Sequence, residues 1–238
     1  SPMSRHLALA ALALTLAFHA HASPAAVPPA DPQPAQRAVL ITGASSGFGR
    51  AATELLASKG WFVYAGARSQ EDLDELNRIE NVQAIRLDVT RPDEIYTAAA
   101  LVKAEGRGLY GLVNNAGVGS PLIPLNDAEE RDLTYVFDVN VYGPWRVTKA
   151  FAPLLAASKG RVVNISSVVG ERGNIGQANY AASKSGQFGL SMSLALELAV
   201  RFQDDVYDTA AAAIQHHPAD YAAAMRETLE RFVVNLRD

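Results

Sequence analysis

The 238-residue sequence contains no cysteine. The chain therefore has no disulfide bond, no thiol nucleophile and no cysteine ligand for zinc or an iron–sulfur cluster. Histidine is almost as scarce, because all five histidines lie before residue 22 or after residue 215. These gaps exclude a Ser/His/Asp triad and a two-histidine metalloprotease helix from the main body. Acid–base chemistry there must use tyrosine, lysine or carboxylates, and we expect no metal site.

The sequence also lacks a strong excess of charge. Lys and Arg number 21 and Asp and Glu number 25, so the net charge is −4. A charge of this sign gives no general attraction to nucleic acid or to an anionic membrane. Long hydrophobic runs are missing too, since the apolar run at residues 7–18 is shorter than the roughly 20 residues of a membrane helix. We therefore expect neither a nucleic-acid partner nor a stable membrane span. Apolar residues make up 49%, which indicates a folded core.

The first 36 residues differ in composition from the rest. Residues 1–22 contain an early arginine, an apolar run and Ala20-His21-Ala22 before Ser23, a pattern typical of a signal peptide. The alternative is an amphipathic or disordered extension. Residues 23–36 are rich in proline and alanine, which predicts an extended linker. A genuine signal would place the protein outside the cytoplasm, for example in a periplasm; otherwise we expect it to be cytoplasmic.

Residues 37–201 alternate between short apolar runs and helical segments. This alternation predicts an α/β fold in which helices cover both faces of a parallel sheet. Residues 202–238 break the rhythm and contain no glycine, and their apolar residues recur at helical spacing, which predicts a helical tail. The predicted strands are 38–42, 61–66, 82–87, 109–113 and 161–166, and the main helices are 48–59, 70–79, one from Pro92, 127–157 and 178–201.

A glycine-rich turn, TGASSGFG, follows the first predicted strand and opens its helix. Small residues let backbone N–H groups approach a pyrophosphate, and the helix N-terminus favours negative charge. The alternative is a tight βα turn without a ligand. The predicted cofactor contacts in this turn are Gly43, Ser45, Ser46, Gly47, Phe48 and Gly49.

Two residues at strand ends bear on the choice of cofactor. Arg68 follows the second strand, where a carboxylate would bind the 2′-hydroxyl of NAD. An arginine there offers a planar, charged group to the 2′-phosphate of NADP, so the sequence predicts NADP(H) over NAD(H). The alternative is a solvated surface arginine. Asp88, after the third strand, is a candidate acceptor for an adenine amino group or an ordinary turn aspartate.

Four further features follow in order along the chain. Asn114-Asn115-Ala116-Gly117 follows the fourth strand, Asn140 lies on a helix, and Ser167 follows the fifth strand. Tyr180 and Lys184 form a YxxxK motif thirteen residues after that serine. Together with the glycine-rich turn, these motifs resemble the short-chain dehydrogenase/reductase family over about residues 38–199.

The resemblance implies a fold, an activity and a set of site residues. The fold is a Rossmann-like doubly wound parallel sheet with strand order 3-2-1-4-5. The activity is that of an oxidoreductase, which transfers hydride between NADP(H) and a small-molecule substrate with a carbonyl or secondary alcohol group. Family members commonly pair through two helices, here 127–157 and 178–201, so we expect a homodimer or homotetramer. The implied catalytic residues are Asn140, Ser167, Tyr180 and Lys184, with cofactor contacts from Asn114, Ala116, Gly117, Tyr180 and Lys184.

The YxxxK motif also makes chemical sense by itself. Tyr180 and Lys184 are separated by four positions, so they share one face of a helix. A free phenol has a pKa of about 10, and a neighbouring ammonium lowers that pKa by favouring the phenolate. Tyr180 is thus predicted to exchange a proton with a carbonyl or alcohol oxygen. The alternative is an ordinary half-exposed helix face.

Asn140 precedes Pro144 by one helical turn. The Asn140 carbonyl would normally accept a hydrogen bond from the N–H of residue 144, which proline lacks. We therefore expect a kink and a carbonyl left free, where the family resemblance implies a water linked to Lys184. The alternative is a kink without catalytic meaning.

The resemblance is uneven along the chain. Residues 42–68 and 138–143 are similar to retinol and hydroxysteroid dehydrogenases, whereas residues 176–184 are similar to 3-oxoacyl carrier-protein reductases. After residue 199 the family continues with a sixth strand and a substrate loop, and this sequence has neither pattern, nor that of a seventh strand. This difference motivates an alternative function, a non-catalytic or impaired nucleotide-binding protein that acts by interaction.

Overall fold

The computed structural model describes residues 36–119 and 121–202, with side chains described as far as Leu198. Five parallel strands in these ranges form one sheet with the order β3-β2-β1-β4-β5, which confirms the predicted sheet and strand order. The predicted signal peptide, most of the linker and the tail beyond residue 202 lie outside the described residues and stay predictions. The strands are β1 Ala38–Ile41, β2 Phe62–Ala67, β3 Val82–Arg86, β4 Gly111–Asn114 and β5 Arg161–Asn164.

Helices alternate with the strands, and α3 begins at Pro92 as predicted. None of the helices in the described ranges is long and apolar enough to cross a membrane. The short helix after β5 was not predicted from the sequence. It has only five residues, too few for apolar residues to recur at helical spacing. The helices are α1 Gly47–Ser58, α2 Gln70–Leu76, α3 Pro92–Glu105, α4 Glu130–Phe137, α5 Gly143–Ala157, α6 Val168–Arg172 and α7 Ala178–Phe202.

The stretch predicted as one helix over 127–157 is divided into parts. A 3-10 turn at Leu125–Asp127 precedes α4, and a π-helical turn at Asp138–Tyr142 separates α4 from α5. In the π turn the Gly143 N–H donates to the Asp138 carbonyl, five residues back. Pro144 accounts for the change, because it cannot supply the N–H that would continue the regular α-helical pattern.

Two apolar clusters lie on the two faces of the sheet. Leu40 belongs to one cluster, with residues of α3, α5 and α7, while its neighbours Val39 and Ile41 belong to the other, with residues of α1 and α2. A strand buried on both faces is apolar at every position, which is why β1 has no polar alternation. The parallel arrangement brings the carboxyl ends of β1, β2, β4 and β5 to one edge, where ligands bind in open sheets of this kind.

Candidate active site

A cavity of about 530 Å³ lies at the carboxyl edge of the sheet. Most of the predicted site residues line it, although they come from positions as far apart as residues 43 and 184. Sequence reasoning missed several apolar wall residues at strand ends and on helices, among them Leu87, Val89, Val118, Tyr135 and Val139. The predicted residues on the wall are Gly43, Ser45, Ser46, Phe48, Arg68, Asp88, Ala116, Gly117, Ser167, Tyr180 and Lys184.

The glycine-rich turn is held by close backbone contacts. Gly43 has a φ of 64°, and a Cβ placed there would lie 2.9 Å from the Cα of Ala116. Gly49 does not line the cavity, but a Cβ there would collide with the Gly43 carbonyl. The Asn115 amide donates to the carbonyls of Thr42 and Gly43, both at 2.9 Å, and so ties the loop after β4 to the turn. The backbone of the turn is therefore fixed from both sides.

The N-terminus of α1 faces the cavity through Ser46 and Phe48. Ser46 is the N-cap residue, but its side chain makes no capping hydrogen bond, and the first turn contains no acidic residue. The first N–H groups of a helix have no partner within the helix, and they favour an anion. The cavity end of this 12-residue helix is therefore suited to a phosphate group.

Arg68 and Asp88 line the same end of the cavity. Arg68 is exposed and has no carboxylate within ion-pair distance in the described part of the chain. Asp88 Oδ1 accepts from the backbone N–H and the hydroxyl of Thr90, at 2.9 and 2.7 Å, which is a turn-stabilising role. An arginine without an ion-pair partner, a helix N-terminus and a turn of small residues together fit the phosphate groups of a dinucleotide.

Ser167, Tyr180 and Lys184 line the cavity on the β5 side of the sheet, whereas Arg68 lies on the β2 side. The Lys184 Nζ donates to the Ile165 carbonyl at 2.7 Å and lies 5.8 Å from the centre of the Tyr180 ring. Burial lowers the pKa of Lys184 to about 8, because the ammonium loses its hydration. Ser167 is the N-cap of α6, and its Oγ accepts from the Val169 N–H at 3.2 Å.

Asn140 stands behind the cavity wall and is fully buried. Its side-chain oxygen accepts from the Val118 N–H at 2.8 Å, and its amide donates to the Val118 carbonyl and to the Ser183 hydroxyl. A Cβ on Gly117 would lie 3.3 Å from Asn140 Oδ1 and 3.5 Å from the Lys184 Nζ. Asn140 therefore connects the loop after β4 to the helix that carries Tyr180 and Lys184.

The expectation of a free Asn140 carbonyl was wrong. The side-chain amide of Gln187 donates to that oxygen at 2.6 Å. Gln187 is 1% exposed and lies on α7, one turn beyond Lys184. The proline removes the backbone donor, as predicted, but a side chain 47 residues away replaces it. No local signal in the sequence indicated this partner.

Asn114 is buried and is not among the residues that line the cavity, and its predicted cofactor contact stays a prediction. Its amide donates to the Thr148 hydroxyl at 3.0 Å and to Asn164 Oδ1 at 2.8 Å, and Asn164 in turn donates to Ser191. The reason is strand alternation: Asn114 ends β4 and points into the helix layer, whereas the residues after it turn over the cavity. Within the described ranges no group of three metal-ligating side chains is assembled.

The fold and the motifs define a class of protein, and a family model supports it. The model for short chain dehydrogenases matches residues 37–202. The chain belongs to the short-chain dehydrogenase family.

Individual relatives and a solved structure agree with this assignment. The chain is 40% identical over 165 residues to short-chain dehydrogenase PC-15 of Penicillium crustosum, covering 68% of this chain and 60% of that protein. It is 39% identical to mouse retinol dehydrogenase 16, covering 67% and 51%, and 41% identical to a 3-oxoacyl-(acyl-carrier-protein) reductase of Thermotoga maritima, covering 68% of each. A short-chain dehydrogenase from Streptomyces avermitilis superposes with a TM-score of 0.65 at 35% identity, covering 81% of this chain and 76% of that one. The chain spans 50–60% of the length of the first three curated relatives it matches.

Proposed function

We propose that the protein is an NADP(H)-dependent oxidoreductase that transfers hydride between the dinucleotide and a carbonyl or secondary alcohol. One observation carries the proposal: a single cavity joins a phosphate-suited helix N-terminus and Arg68 to Ser167, Tyr180 and Lys184. The bound dinucleotide would supply the hydride. The names of the relatives offer two substrate types to try first, a retinoid alcohol or aldehyde and a 3-oxoacyl thioester.

We call the end of the cavity near Arg68 the dinucleotide end, and the end near Ser167, Tyr180 and Lys184 the catalytic end. In this proposal each residue at the catalytic end has its own part in proton transfer. Tyr180 exchanges a proton with the substrate oxygen, and the positive charge of Lys184 near its ring favours the phenolate. The Ser167 oxygen already accepts from the Val169 N–H, so its hydroxyl proton is available to the substrate oxygen. Asn140 acts indirectly, because its hydrogen bonds hold the Val118 loop against α7.

Cofactor binding is the first test of this proposal. The full chain is titrated with NADPH and with NADH, and binding is followed by calorimetry. We expect tighter binding of NADPH, because Arg68 lies at the end of β2 where the 2′-phosphate would sit. Equal or weaker binding of NADPH would contradict the cofactor preference, and no binding of either dinucleotide by folded protein would contradict the enzyme assignment.

Turnover is tested with a panel of ketones, retinoids and 3-oxoacyl thioesters. The Tyr180→Phe variant removes the exchangeable proton and should reduce kcat by about 100-fold or more, with little change in NADPH binding. Tyr96→Phe, on the exposed surface of α3, is the matched control and should keep full activity. If NADPH binds but no substrate turns over, the alternative of a non-catalytic nucleotide-binding protein is favoured.

A homodimer or homotetramer is part of the same proposal. Large apolar side chains are exposed on α5 and α7, including Trp145 at 44%, Met192 at 63% and Leu196 at 73%. Exposed apolar groups on neighbouring helices are typical of an interface. Light scattering should give at least twice the chain mass, and Leu196→Glu should reduce it. A strictly monomeric wild-type protein would exclude this part of the proposal.

A further inference from the structure

A second arginine, on the edge strand β3, lies beside Arg68, although it does not itself line the cavity. Arg86 is the last residue of β3 and is paired in register with Ala67, the last residue of β2. It therefore lies on the strand next to Arg68, which directly follows Ala67. Its Nη1 donates to the backbone carbonyl of Arg68 at 2.5 Å. The exposed Arg86 side chain therefore reaches across the end of β2 to the residue that lines the cavity.

Neither arginine is neutralised by a neighbouring carboxylate. In residues 36–119 and 121–202, no ion pair within 4 Å involves Arg68 or Arg86. Asp72, at the start of α2, is engaged elsewhere, because its carboxylate accepts from the Ser69 hydroxyl at 2.6 Å. A dianionic group close to both side chains would therefore be attracted by two positive charges that no carboxylate within 4 Å neutralises.

The contact with the Arg68 carbonyl has a second consequence. Arg68 is the first residue after β2. The last β2–β3 hydrogen bond before it runs from the Leu87 N–H to the Ala67 carbonyl, so the sheet does not hold the Arg68 carbonyl. The hydrogen bond from Arg86 fixes the next peptide group and therefore the direction in which the Arg68 side chain leaves the backbone. A side chain that is already oriented loses less conformational entropy when it binds.

We propose that Arg86 is a second determinant of cofactor choice, acting on the 2′-phosphate of NADP(H) together with Arg68. It adds positive charge beside Arg68 and holds the Arg68 backbone in place. This inference rests on the proposed function, since it concerns the same dinucleotide site. The 2′-hydroxyl of NAD(H) carries no charge, so the contribution of Arg86 is specific to the phosphorylated cofactor.

The charge and the hydrogen bond can be separated by substitution. Arg86→Gln removes the charge but keeps an amide donor, whereas Arg86→Lys keeps the charge but loses the planar guanidinium. Arg78→Gln is the matched control, because Arg78 is also exposed and lies before β3, at the opposite end of that strand. Thermal unfolding of each variant verifies that the fold is retained.

The measurement is the dissociation constant of NADPH and of NADH for the full-length wild-type protein, the three variants, Arg68→Gln and the Arg68→Gln/Arg86→Gln double variant. We expect Arg86→Gln to weaken NADPH binding about tenfold and to change NADH binding by less than about twofold. Arg86→Lys should fall between the wild type and Arg86→Gln, and Arg78→Gln should match the wild type. The tenfold effect should shrink at high salt, because both arginines are exposed.

The outcomes separate this inference from the cofactor assignment. If the wild type prefers NADPH and Arg86→Gln leaves the NADPH-to-NADH ratio unchanged, the role of Arg86 is overturned while the proposed cofactor stands. Equal weakening of both dinucleotides also overturns it, since that result indicates a structural role only. If the wild type shows no preference for NADPH, the proposed cofactor and the role of Arg86 fail together.

Discussion

The two ends of the cavity are built in different ways. At the dinucleotide end, the geometry comes from glycines that allow backbone contacts, and the charged groups, Arg68 and Arg86, are exposed. At the catalytic end, the geometry comes from buried polar side chains, and Lys184 is only 4% exposed. The geometry of the dinucleotide end therefore depends on steric exclusion. The geometry and charge of the catalytic end depend on hydrogen bonds and desolvation.

The difference affects how each end tolerates change. Where two backbone segments lie in close contact, neither can move aside to make room. A single added methyl group there therefore lowers the stability of the folded protein. Buried hydrogen bonds cost about 1–3 kcal/mol when one partner is removed, while exposed charges are screened by water and salt. The following four predictions test this contrast, from the largest effect to the smallest.

Gly49→Ala should be the most damaging change. A Cβ at this position collides with the Gly43 carbonyl and with the Asn115 side-chain amide, which donates to that carbonyl from the loop after β4. We expect a loss of about 3 kcal/mol or more in the free energy of unfolding, together with loss of dinucleotide binding. Chemical denaturation and calorimetry measure the two effects.

Gly189→Ala is the control for that substitution. Gly189 lies on α7 and a Cβ there meets nothing within 4 Å. The control should leave stability unchanged or raise it slightly, since alanine favours a helix. A Gly49→Ala protein as stable as this control would show that steric exclusion does not determine the dinucleotide end.

Asn140→Ala should destabilise the catalytic end. The substitution removes the hydrogen-bond partner of both Val118 backbone groups and one of the two bonds of the Ser183 hydroxyl, which still donates to the Tyr180 carbonyl. We expect a loss of about 2–4 kcal/mol in the free energy of unfolding. Asn174→Ala, which removes only an exposed hydrogen bond to Gln177, should cost less than about 1 kcal/mol in the same denaturation experiment. Similar losses for both variants would be evidence against a structural role for the buried network.

Lys184 should give the stability of the ligand-free protein a characteristic pH dependence. Its pKa is about 8 in the folded protein and near 10.5 when unfolded, so between these values the unfolded chain binds more protons. The free energy of unfolding should therefore rise as the pH increases from about 8 to 10.5, by up to ~3 kcal/mol from this group.

Lys184→Met removes this contribution and identifies its source. Denaturation curves across that pH range should show a smaller rise for Lys184→Met than for the wild type, and the variant should be the more stable protein at pH 7. Lys149→Met, an exposed substitution on α5, should keep the wild-type slope. If the wild type and Lys184→Met have the same slope, desolvation of Lys184 does not control the pH dependence.

Surface ion pairs should give the smallest effects. The Arg131–Glu129 pair is well exposed at both side chains, so a double-mutant cycle should yield a coupling free energy below about 0.5 kcal/mol. The Arg146–Asp138 pair, at 2.7 Å, is less exposed and flanks the π turn, and we expect about 1 kcal/mol. A larger coupling in the exposed pair would reverse the predicted influence of solvent screening.

Motifs with local causes were predictable from sequence. The glycine-rich turn follows a buried strand directly, and Tyr180 and Lys184 share a helix face because they are four positions apart. Pro144 likewise indicated that the helix pattern fails near Asn140, and the structure has a π turn there. Each of these predictions depends on residues within one turn or one βα unit.

Features that depend on distant partners were not predictable in the same way. Pro144 shows which donor is missing, but Gln187 replaces it only because α7 packs against the π turn. Asn114 belongs to the NNAG motif, yet its neighbours Thr148 and Asn164 draw its amide away from the cavity. Neither partner can be recognised from spacing, since the sequence does not state which buried polar groups will meet.

The sequence alone determined the order of βα units, the positions of the glycines in the turn after β1 and the residue types at the strand ends. These features depend on local backbone preferences and on the pattern of apolar residues. The tertiary structure decided which polar side chains are buried together, how far the pKa of Lys184 is lowered, and that Arg86 reaches Arg68. These properties depend on packing between elements that are far apart in the chain, since desolvation and hydrogen bonding act only between groups that the fold has brought into contact.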